Sequence, residues 1–292
     1  MTLHKLLFCG ALLVVALPLA AADQPAWTHP FPPFRIAGNL YYVGSEDLAA
    51  YLVATPKGLI LINSNLASSP PLIRRSVEAL GFNFNDIKIL LISHAHFDHC
   101  AGSAEVLKET GATYEVMAAD VPVIESGGKT DFQYGSENDM HFAPTHVDRA
   151  LHDGDTVSLG GTVLTAHQTA GHTRGATTWT MDATEDGRLL HIVIVGSPNV
   201  NPGYKLTGNS AYPQIAADYT HQFQVLQSLP CDVFLGAHGS YFGLVEKYAR
   251  WKSGDKEAFV DPTGYKAYVA ERKQAFAAEL ARQLKARQAF RP

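Results

Sequence analysis

The sequence has few cysteines and no excess of positive charge, and both shortages narrow its possible functions. Three cysteines in 292 residues are too few for a disulfide framework or for a closed, cysteine-rich structural zinc site. The formal net charge of −5 is the opposite of what a surface that follows nucleic-acid phosphates requires. We therefore expect no nucleic-acid partner.

The chain also lacks internal linkers and a long apolar run. No proline- or serine-rich stretch and no block of like charges divides it, so we expect residues 23–292 to form one domain. Residues 6–19 are apolar but shorter than the ~20 residues that span a membrane. They follow a weakly basic start and precede three alanines, a pattern that predicts a secretory signal at residues 1–22. We expect a monomeric, periplasmic protein with no membrane contact once this signal is removed.

A dense cluster of metal-ligand side chains follows the apolar run at residues 87–92, which has the composition of a buried strand. His94 and His96 lie two residues apart and therefore on one side of an extended backbone, whereas Asp98 and His99 come after a bend. One catalytic ion needs about three protein ligands, and this segment alone offers four. The pattern favours two neighbouring metal ions and zinc-dependent hydrolysis.

Each predicted ion needs one more ligand from elsewhere in the chain. His172 lies in a glycine-containing loop after a predicted strand, and we assign it to the first ion with His94 and His96. His238 follows another short apolar strand, and we assign it to the second ion with Asp98 and His99. Cys100 has two interpretations, a soft metal ligand or a small buried residue that opens a helix.

The order of the predicted elements favours two mixed sheets with helices on their outer faces. Residues 126–152 show no periodicity and are too long for a routine connection, so we predict a functional or mobile segment there. The predicted strands are 40–43, 50–53, 59–62, 87–92, 114–118, 156–159, 162–166, 176–181, 189–195 and 232–235, and the predicted helices are 68–80, 103–110, 215–228 and 266–284.

The His-x-His-x-Asp-His segment, the later Gly-His-Thr and the late Ala-His resemble the metallo-β-lactamase superfamily. The likeness runs from about residue 27 to the end of the chain, and it implies a four-layer αββα sandwich with a dinuclear zinc site at one edge of the sheets. Many hydrolases of this superfamily, including the glyoxalase II type, carry Gly-Asp where this chain has Gly196-Ser197, and that Asp bridges both metals. The serine, with histidines at both ends of the first motif, is similar to subclass B3.

This resemblance implies hydrolysis of the β-lactam amide of penicillins, cephalosporins and carbapenems, which confers antibiotic resistance. A hydroxide held between two zinc ions would attack the carbonyl without a covalent acyl-enzyme, and Asp98 would orient or shuttle the proton that reaches the released nitrogen. Ser197 and Asn199 are candidates to bind the substrate carboxylate, although turn formation explains Asn199 equally well. Gln133 would lie in a segment that covers the bound antibiotic.

The chain departs from the family at two places. It has Asn63-Ser64-Asn65 where many members have Asp-Gly, so a structural carboxylate near the site is missing. Cys231 has no later cysteine to pair with, so we expect a free thiol. Two other functions stay open at this point: a lactonase or thioesterase on the same fold, and an exported zinc-binding protein without catalysis.

Overall fold

The computed structural model describes residues 24–289, in which two β-sheets pack face to face between layers of helices; the predicted signal at residues 1–22 lies outside this range. The strands of the first sheet are β1 (Phe34–Ala37), β2 (Leu40–Tyr42), β3 (Tyr51–Thr55), β4 (Gly58–Ile62), β5 (Ile87–Leu91), β6 (Thr113–Met117) and β7 (Arg149–Leu151). Those of the second are β8 (Thr156–Leu159), β9 (Thr162–Gln168), β10 (Thr177–Glu185), β11 (Arg188–Val195) and β12 (Val233–Gly236). The helices are α1 (Pro25–Thr28), α2 (Pro70–Ala79), α3 (Phe97–Cys100), α4 (Ser103–Thr110), α5 (Val121–Glu125), α6 (Ile215–Ser228), α7 (Gly239–Phe242), α8 (Leu244–Lys252) and α9 (Pro262–Ala289), with 3-10 turns at Phe84–Asp86, Ala118–Asp120 and Asn138–Met140.

The first sheet keeps its strands in chain order. β1 to β4 are antiparallel neighbours, whereas β4, β5, β6 and β7 run parallel. Parallel neighbours need a crossover, which α2 supplies between β4 and β5 and α4 between β5 and β6. Successive side chains of β4 point to opposite faces, so Leu61 packs in the cluster that holds Val77 of α2, while Ile60 packs toward the second sheet.

The second sheet has the order β12-β11-β10-β9-β8. Two antiparallel hairpins build most of it, and β12 joins β11 in parallel after the crossover through α6. α6 buries Ile215, Tyr219, Phe223 and Leu226, which the helical period places on one face, and the ring of Tyr219 stacks on Phe276 of α9. With α2 and α4 on the first sheet and α6 and α9 on the second, the predicted αββα sandwich is confirmed.

Most of the predicted elements match the structure, including short ones. The helices predicted at 215–228 and 103–110 and the strand predicted at 156–159 are α6, α4 and β8 residue for residue. The strands predicted at 156–159 and 162–166 form a hairpin that pairs Leu159 with Thr162. The predictions omitted β1, β7, α8 and the helices of four or five residues, and they made α9 too short at both ends. Within residues 24–289, no helix combines the length and apolar character that crossing a membrane requires.

Candidate metal centre

The histidine segment leaves the carboxyl end of β5 in an extended conformation. His96 keeps an extended backbone, with φ −104° and ψ 151°, and the chain then winds into the single turn of α3. This change of conformation carries Asp98 and His99 round the bend that the sequence predicts. All four side chains are buried, and His99 is fully inaccessible to solvent.

The first group of ligands brings together two loops, one after β5 and one after β9. One ring nitrogen from each of His94, His96 and His172 lies within 4.8 Å of the others. His172 comes from the loop after β9, where Gly171 has φ +139° and any side chain on it would strike the ring of Tyr219. The Nδ1 atom of His172 lies 2.9 Å from the carbonyl oxygen of Asn199, and Nδ1 of His94 lies 3.1 Å from Ser93 Oγ. These contacts hold the two rings and leave their Nε2 atoms available.

The second group forms next to the first. Asp98 and His99 have ligand atoms within 4.8 Å of one on His94, and Nε2 of His238 lies 3.2 Å from Nε2 of His99 and 3.6 Å from Asp98 Oδ2. His238 follows β12, and its Nδ1 lies 2.9 Å from the carboxylate of Asp47. The same carboxylate accepts hydrogen bonds from Trp27 Nε1 and from the backbone N–H of Ser240. All six sequence-predicted ligands therefore meet at one edge of the sandwich.

The protonation chemistry of these groups suits a cation. Burial and the neighbouring imidazoles hold the pKa of His94 well below its ordinary value, and burial together with His96 lowers the pKa of His172 to about 3. Two protonated nitrogens cannot sit 3.2 Å apart, as Nε2 of His99 and His238 do. The buried atoms Nε2 of His96 and Nδ1 of His99 also lack hydrogen-bond partners among residues 24–289. His96 differs from His94 and His172: burial lowers its pKa, but Asp131, with Oδ2 3.7 Å from Nε2, outweighs burial and raises the pKa. Imidazole nitrogens beside the Asp98 carboxylate form the nitrogen and oxygen donor set that zinc prefers.

A buried carboxylate that the sequence analysis missed joins the loops of the first group. Asp120 is 1% exposed, and its Oδ2 accepts hydrogen bonds from the backbone N–H of Ala95 (2.9 Å) and from Thr173 Oγ1 (2.7 Å). Its Oδ1 accepts from the N–H of Gly175 (2.7 Å), where an added Cβ would lie 2.6 Å from the carboxyl carbon. Asp120 therefore fixes the spacing between the His94 segment and the His172 loop. Nothing in the local sequence marks this aspartate, because its partners come from two distant loops.

Asn63 stands where many members of the family have an aspartate, and its side chain still hydrogen-bonds to the backbone of the ligand segment. Its Oδ1 accepts a hydrogen bond from the N–H of Ser93 (2.8 Å), and its Nδ2 donates to the carbonyl of Ala49 (3.1 Å). Trp179, from the second sheet, donates from Nε1 to the carbonyl of Ile92 at 3.0 Å. An amide and an indole, both uncharged, thus support the backbone that leads into His94.

The two ligand groups lie beside an open cleft of about 360 Å³. Of the two candidates to bind the substrate carboxylate, Asn199 lines this cleft. Ser197 is 2% exposed and lies behind the lining, with Oγ 3.2 Å from the hydroxyl of Tyr241. The lining residues are Gln24, Trp27, Asp47, His96, Phe97, Asp98, Tyr134, Met140, His172, Asn199, Asn201, His238, Ser240 and Tyr241.

Gln133 is not one of the lining residues. The Asp131 carboxylate accepts hydrogen bonds from the backbone N–H groups of Gln133 and Tyr134, and this turn brings the Tyr134 ring within 5.3 Å of the His96 ring. The cleft is therefore bordered by the aromatic residue that follows the predicted glutamine.

Both cysteines of this part of the chain are free thiols. Cys231 is unpaired, as predicted. Cys100 is buried in the turn of α3 with Sγ 3.0 Å from the carbonyl of His96, and it does not belong to either group of converging ligands. Of its two interpretations, the structure fits the small buried residue.

Comparison with known proteins assigns the family. Residues 48–185 match the family model of the metallo-β-lactamase superfamily. The native FEZ-1 metallo-β-lactamase from Legionella gormanii is 56% identical, with a TM-score of 0.87 over 87% of this chain and 97% of that one. BJP-1, a subclass B3 metallo-β-lactamase of Bradyrhizobium japonicum, is 36% identical, with a TM-score of 0.84 over 89% and 98% of the two chains. A UPF0173 metal-dependent hydrolase from Christiangramia forsetii is 26% identical over 177 residues, which cover 56% of this chain and 72% of the relative. The chain belongs to the metallo-β-lactamase superfamily and, within it, to the subclass B3 metallo-β-lactamases.

Proposed function

We propose that this hydrolase opens the β-lactam ring of penicillins, cephalosporins and carbapenems with two zinc ions, and so confers antibiotic resistance. The observation that carries the proposal is the pair of adjoining ligand groups beside an open cleft. A structural zinc site would be closed by four ligands. Six ligands in two groups beside a cleft of substrate size favour catalysis instead.

His94, His96 and His172 would hold one ion, and Asp98, His99 and His238 the other. Bound zinc supplies Lewis-acid chemistry, because it lowers the pKa of water toward neutrality and polarises a carbonyl oxygen. Asp47 keeps the ring of His238 in place, and the carbonyl of Asn199 does the same for His172. Because these contacts occupy Nδ1, Nε2 of each histidine would bind the metal.

Asp98 is the residue of the chain best placed to handle a proton. Burial raises its pKa, but the nearby imidazoles of His99 and His238 outweigh burial and hold the pKa below its usual range. The carboxylate is therefore a weak base that stays ionised at neutral pH and can accept a hydrogen bond from a protonated group beside the cleft. We propose that it orients the proton that reaches the leaving nitrogen.

The same fold also supports lactonases and thioesterases, and Ser197 argues against the glyoxalase II type of site. A serine hydroxyl cannot bridge two cations as a carboxylate does, and this hydroxyl is directed to Tyr241. The third possibility, an exported zinc protein without catalysis, does not explain the open cleft beside the two ligand groups.

We further propose that residues 1–22 are a secretory signal and that residues 23–292 act as a single periplasmic, monomeric domain. The basic start, short apolar stretch and alanines of the sequence support export.

Nitrocefin hydrolysis before and after chelation tests the proposed function. The purified protein should hydrolyse nitrocefin, lose the activity on treatment with a chelator and regain it when zinc is restored. His172→Ala should lose at least 100-fold in kcat/KM, because the first group would keep only two ligands. His152→Ala, at an exposed position away from the cleft, is the matched control and should be unchanged. Metal binding without turnover would refute the proposal.

A further inference from the structure

The wall of the cleft between the two ligand groups carries a polar pair, Asn199 and Tyr241, and the family resemblance identifies only Asn199. Tyr241 and Asn199 both line the cleft, and Nδ2 of Asn199 donates to the Tyr241 hydroxyl at 2.8 Å. The ring of Tyr241 lies 5.0 Å from the ring of His238, and the backbone carbonyl of Asn199 contacts His172. The pair therefore spans the space between one ligand group and the other.

The hydrogen bonds around Tyr241 make its hydroxyl a donor toward the cleft. Asn199 Nδ2 fills one acceptor position of the oxygen, and Ser197 Oγ, at 3.2 Å on the buried side, can fill the other. Either hydroxyl can donate in the contact between Ser197 and Tyr241. In the arrangement in which Ser197 donates, both acceptor positions are filled and Tyr241 donates its own proton to a group in the cleft. The partner that suits it is an acceptor, and a carboxylate suits it best because charge-assisted hydrogen bonds are the strong ones.

Arg272 of α9 determines how the Asn199 amide is oriented. Nη1 of Arg272 donates to Asn199 Oδ1 at 3.3 Å, so the amide turns its oxygen toward α9 and its NH2 group toward Tyr241 and the cleft. One N–H of that NH2 group donates to the Tyr241 hydroxyl, and the other can donate to a ligand in the cleft. The guanidinium, which also pairs with Glu271, lies behind the amide. Both groups that the wall presents to the cleft are thus hydrogen-bond donors.

We infer that Tyr241, together with Asn199, binds the carboxylate of the β-lactam substrate, while Ser197 and Arg272 position the pair from behind. This inference rests on the proposed function. It moves the contact that the sequence assigns to Ser197 to a tyrosine 44 residues further along the chain, because Ser197 is buried behind that tyrosine.

The test compares a cephalosporin that has a free ring carboxylate with its methyl ester. Tyr241→Phe should raise KM for the acid about tenfold and leave KM for the ester and the kcat for both unchanged, since one hydrogen bond to a charged group is lost. Arg272→Met should shift KM for the acid in the same direction by a smaller factor. Zinc content should equal that of the wild type in both variants.

Tyr268→Phe is the matched control, because it removes a buried hydroxyl that has no hydrogen-bond partner between residues 24 and 289, from a ring stacked on Tyr241. It should leave both KM values unchanged. An equal change in KM for acid and ester in Tyr241→Phe, or no change in either, would overturn the inference while the proposed function stands. Failure of the wild type to hydrolyse both compounds would overturn the two together.

Discussion

Replacing Asp120 by asparagine should weaken zinc binding and the fold together, although residue 120 is not among the six predicted ligands. The carboxylate accepts three hydrogen bonds, and two of the donors are backbone N–H groups on opposite oxygens. An asparagine has one oxygen and one NH2 group. If the NH2 group faces Gly175, that N–H loses its acceptor, and if it faces Ala95 and Thr173, the N–H of Ala95 does.

The magnitude follows from this loss. A buried donor without a partner costs ~1–3 kcal/mol, and the remaining bonds weaken because the acceptor is no longer charged. Burial also raises the pKa of Asp120. Removing the charge therefore relieves a desolvation penalty that offsets part of the cost. We expect a net loss of about 2 kcal/mol in the free energy of unfolding, which corresponds to a fall of about 5 °C in Tm for a chain of this size.

Zinc affinity should fall by ~10–100-fold, as is usual when a group that supports metal ligands is removed. Competition with a chromophoric chelator measures this affinity, and thermal unfolding of the metal-free protein measures the stability. Asp148→Asn is the control, because Asp148 also accepts a backbone N–H, from Tyr114 at 2.8 Å, on the first sheet. Asp148 is exposed, and the asparagine oxygen can still accept this one N–H, so the substitution should change stability little and leave zinc affinity unchanged. Wild-type zinc affinity in Asp120→Asn would show that Asp120 does not set the spacing of the two loops.

Two further predictions concern groups outside the cleft. Burial raises the pKa of Cys231 to about 12 and holds the pKa of Cys100 well above its ordinary value. Iodoacetamide at pH 8 should therefore leave both thiols unmodified in the folded protein and label them after unfolding. Mass spectrometry measures the modification of each cysteine, and a labelled thiol in the folded protein would contradict this prediction. Burial raises the pKa of Asp261, but Lys247, whose Nζ lies 2.9 Å from the carboxylate, outweighs burial and lowers the pKa below its ordinary value of 3.8. The ion pair therefore stabilises the folded protein above pH 3.8, and this stabilisation is lost as the pH falls through the lowered pKa. Asp261→Asn should therefore be less stable than the wild type by ~1–2 kcal/mol at pH 7, and urea titrations should show this gap closing below about pH 3.8; a gap independent of pH would contradict the assignment.

The sequence indicates the candidate ligands because their chemistry is local. His94, His96, Asp98 and His99 occupy six residues after a buried strand, and the side-chain types alone indicate a metal. Long elements such as α6 were also predictable, since their apolar period repeats several times. The family resemblance indicated the subclass, because Ser197 stands where many other hydrolases of the superfamily have a bridging aspartate.

Residues whose roles depend on distant loops were not predictable. Asp120 is hydrogen-bonded to Ala95 and Gly175, and Tyr241 to Asn199, and no local pattern records these pairings. The placement of Gln133 outside the cleft lining was equally hidden, because it depends on a turn in which Asp131 accepts from the N–H groups of Gln133 and Tyr134. Hydrogen bonds between segments far apart in the chain determine these placements, and a single sequence gives no pattern from which such bonds can be inferred.

The division of the ligands between the two sheets has a consequence for biosynthesis. His94, His96, Asp98 and His99 extend from β5 of the first sheet, while His172 and His238 follow β9 and β12 of the second. Under the proposed assignment, neither ion has its full set of ligands until a ribosome has made the second half of the chain and that half has docked on the first. A partly synthesised chain would therefore hold zinc weakly, and tight zinc capture would mark the end of folding.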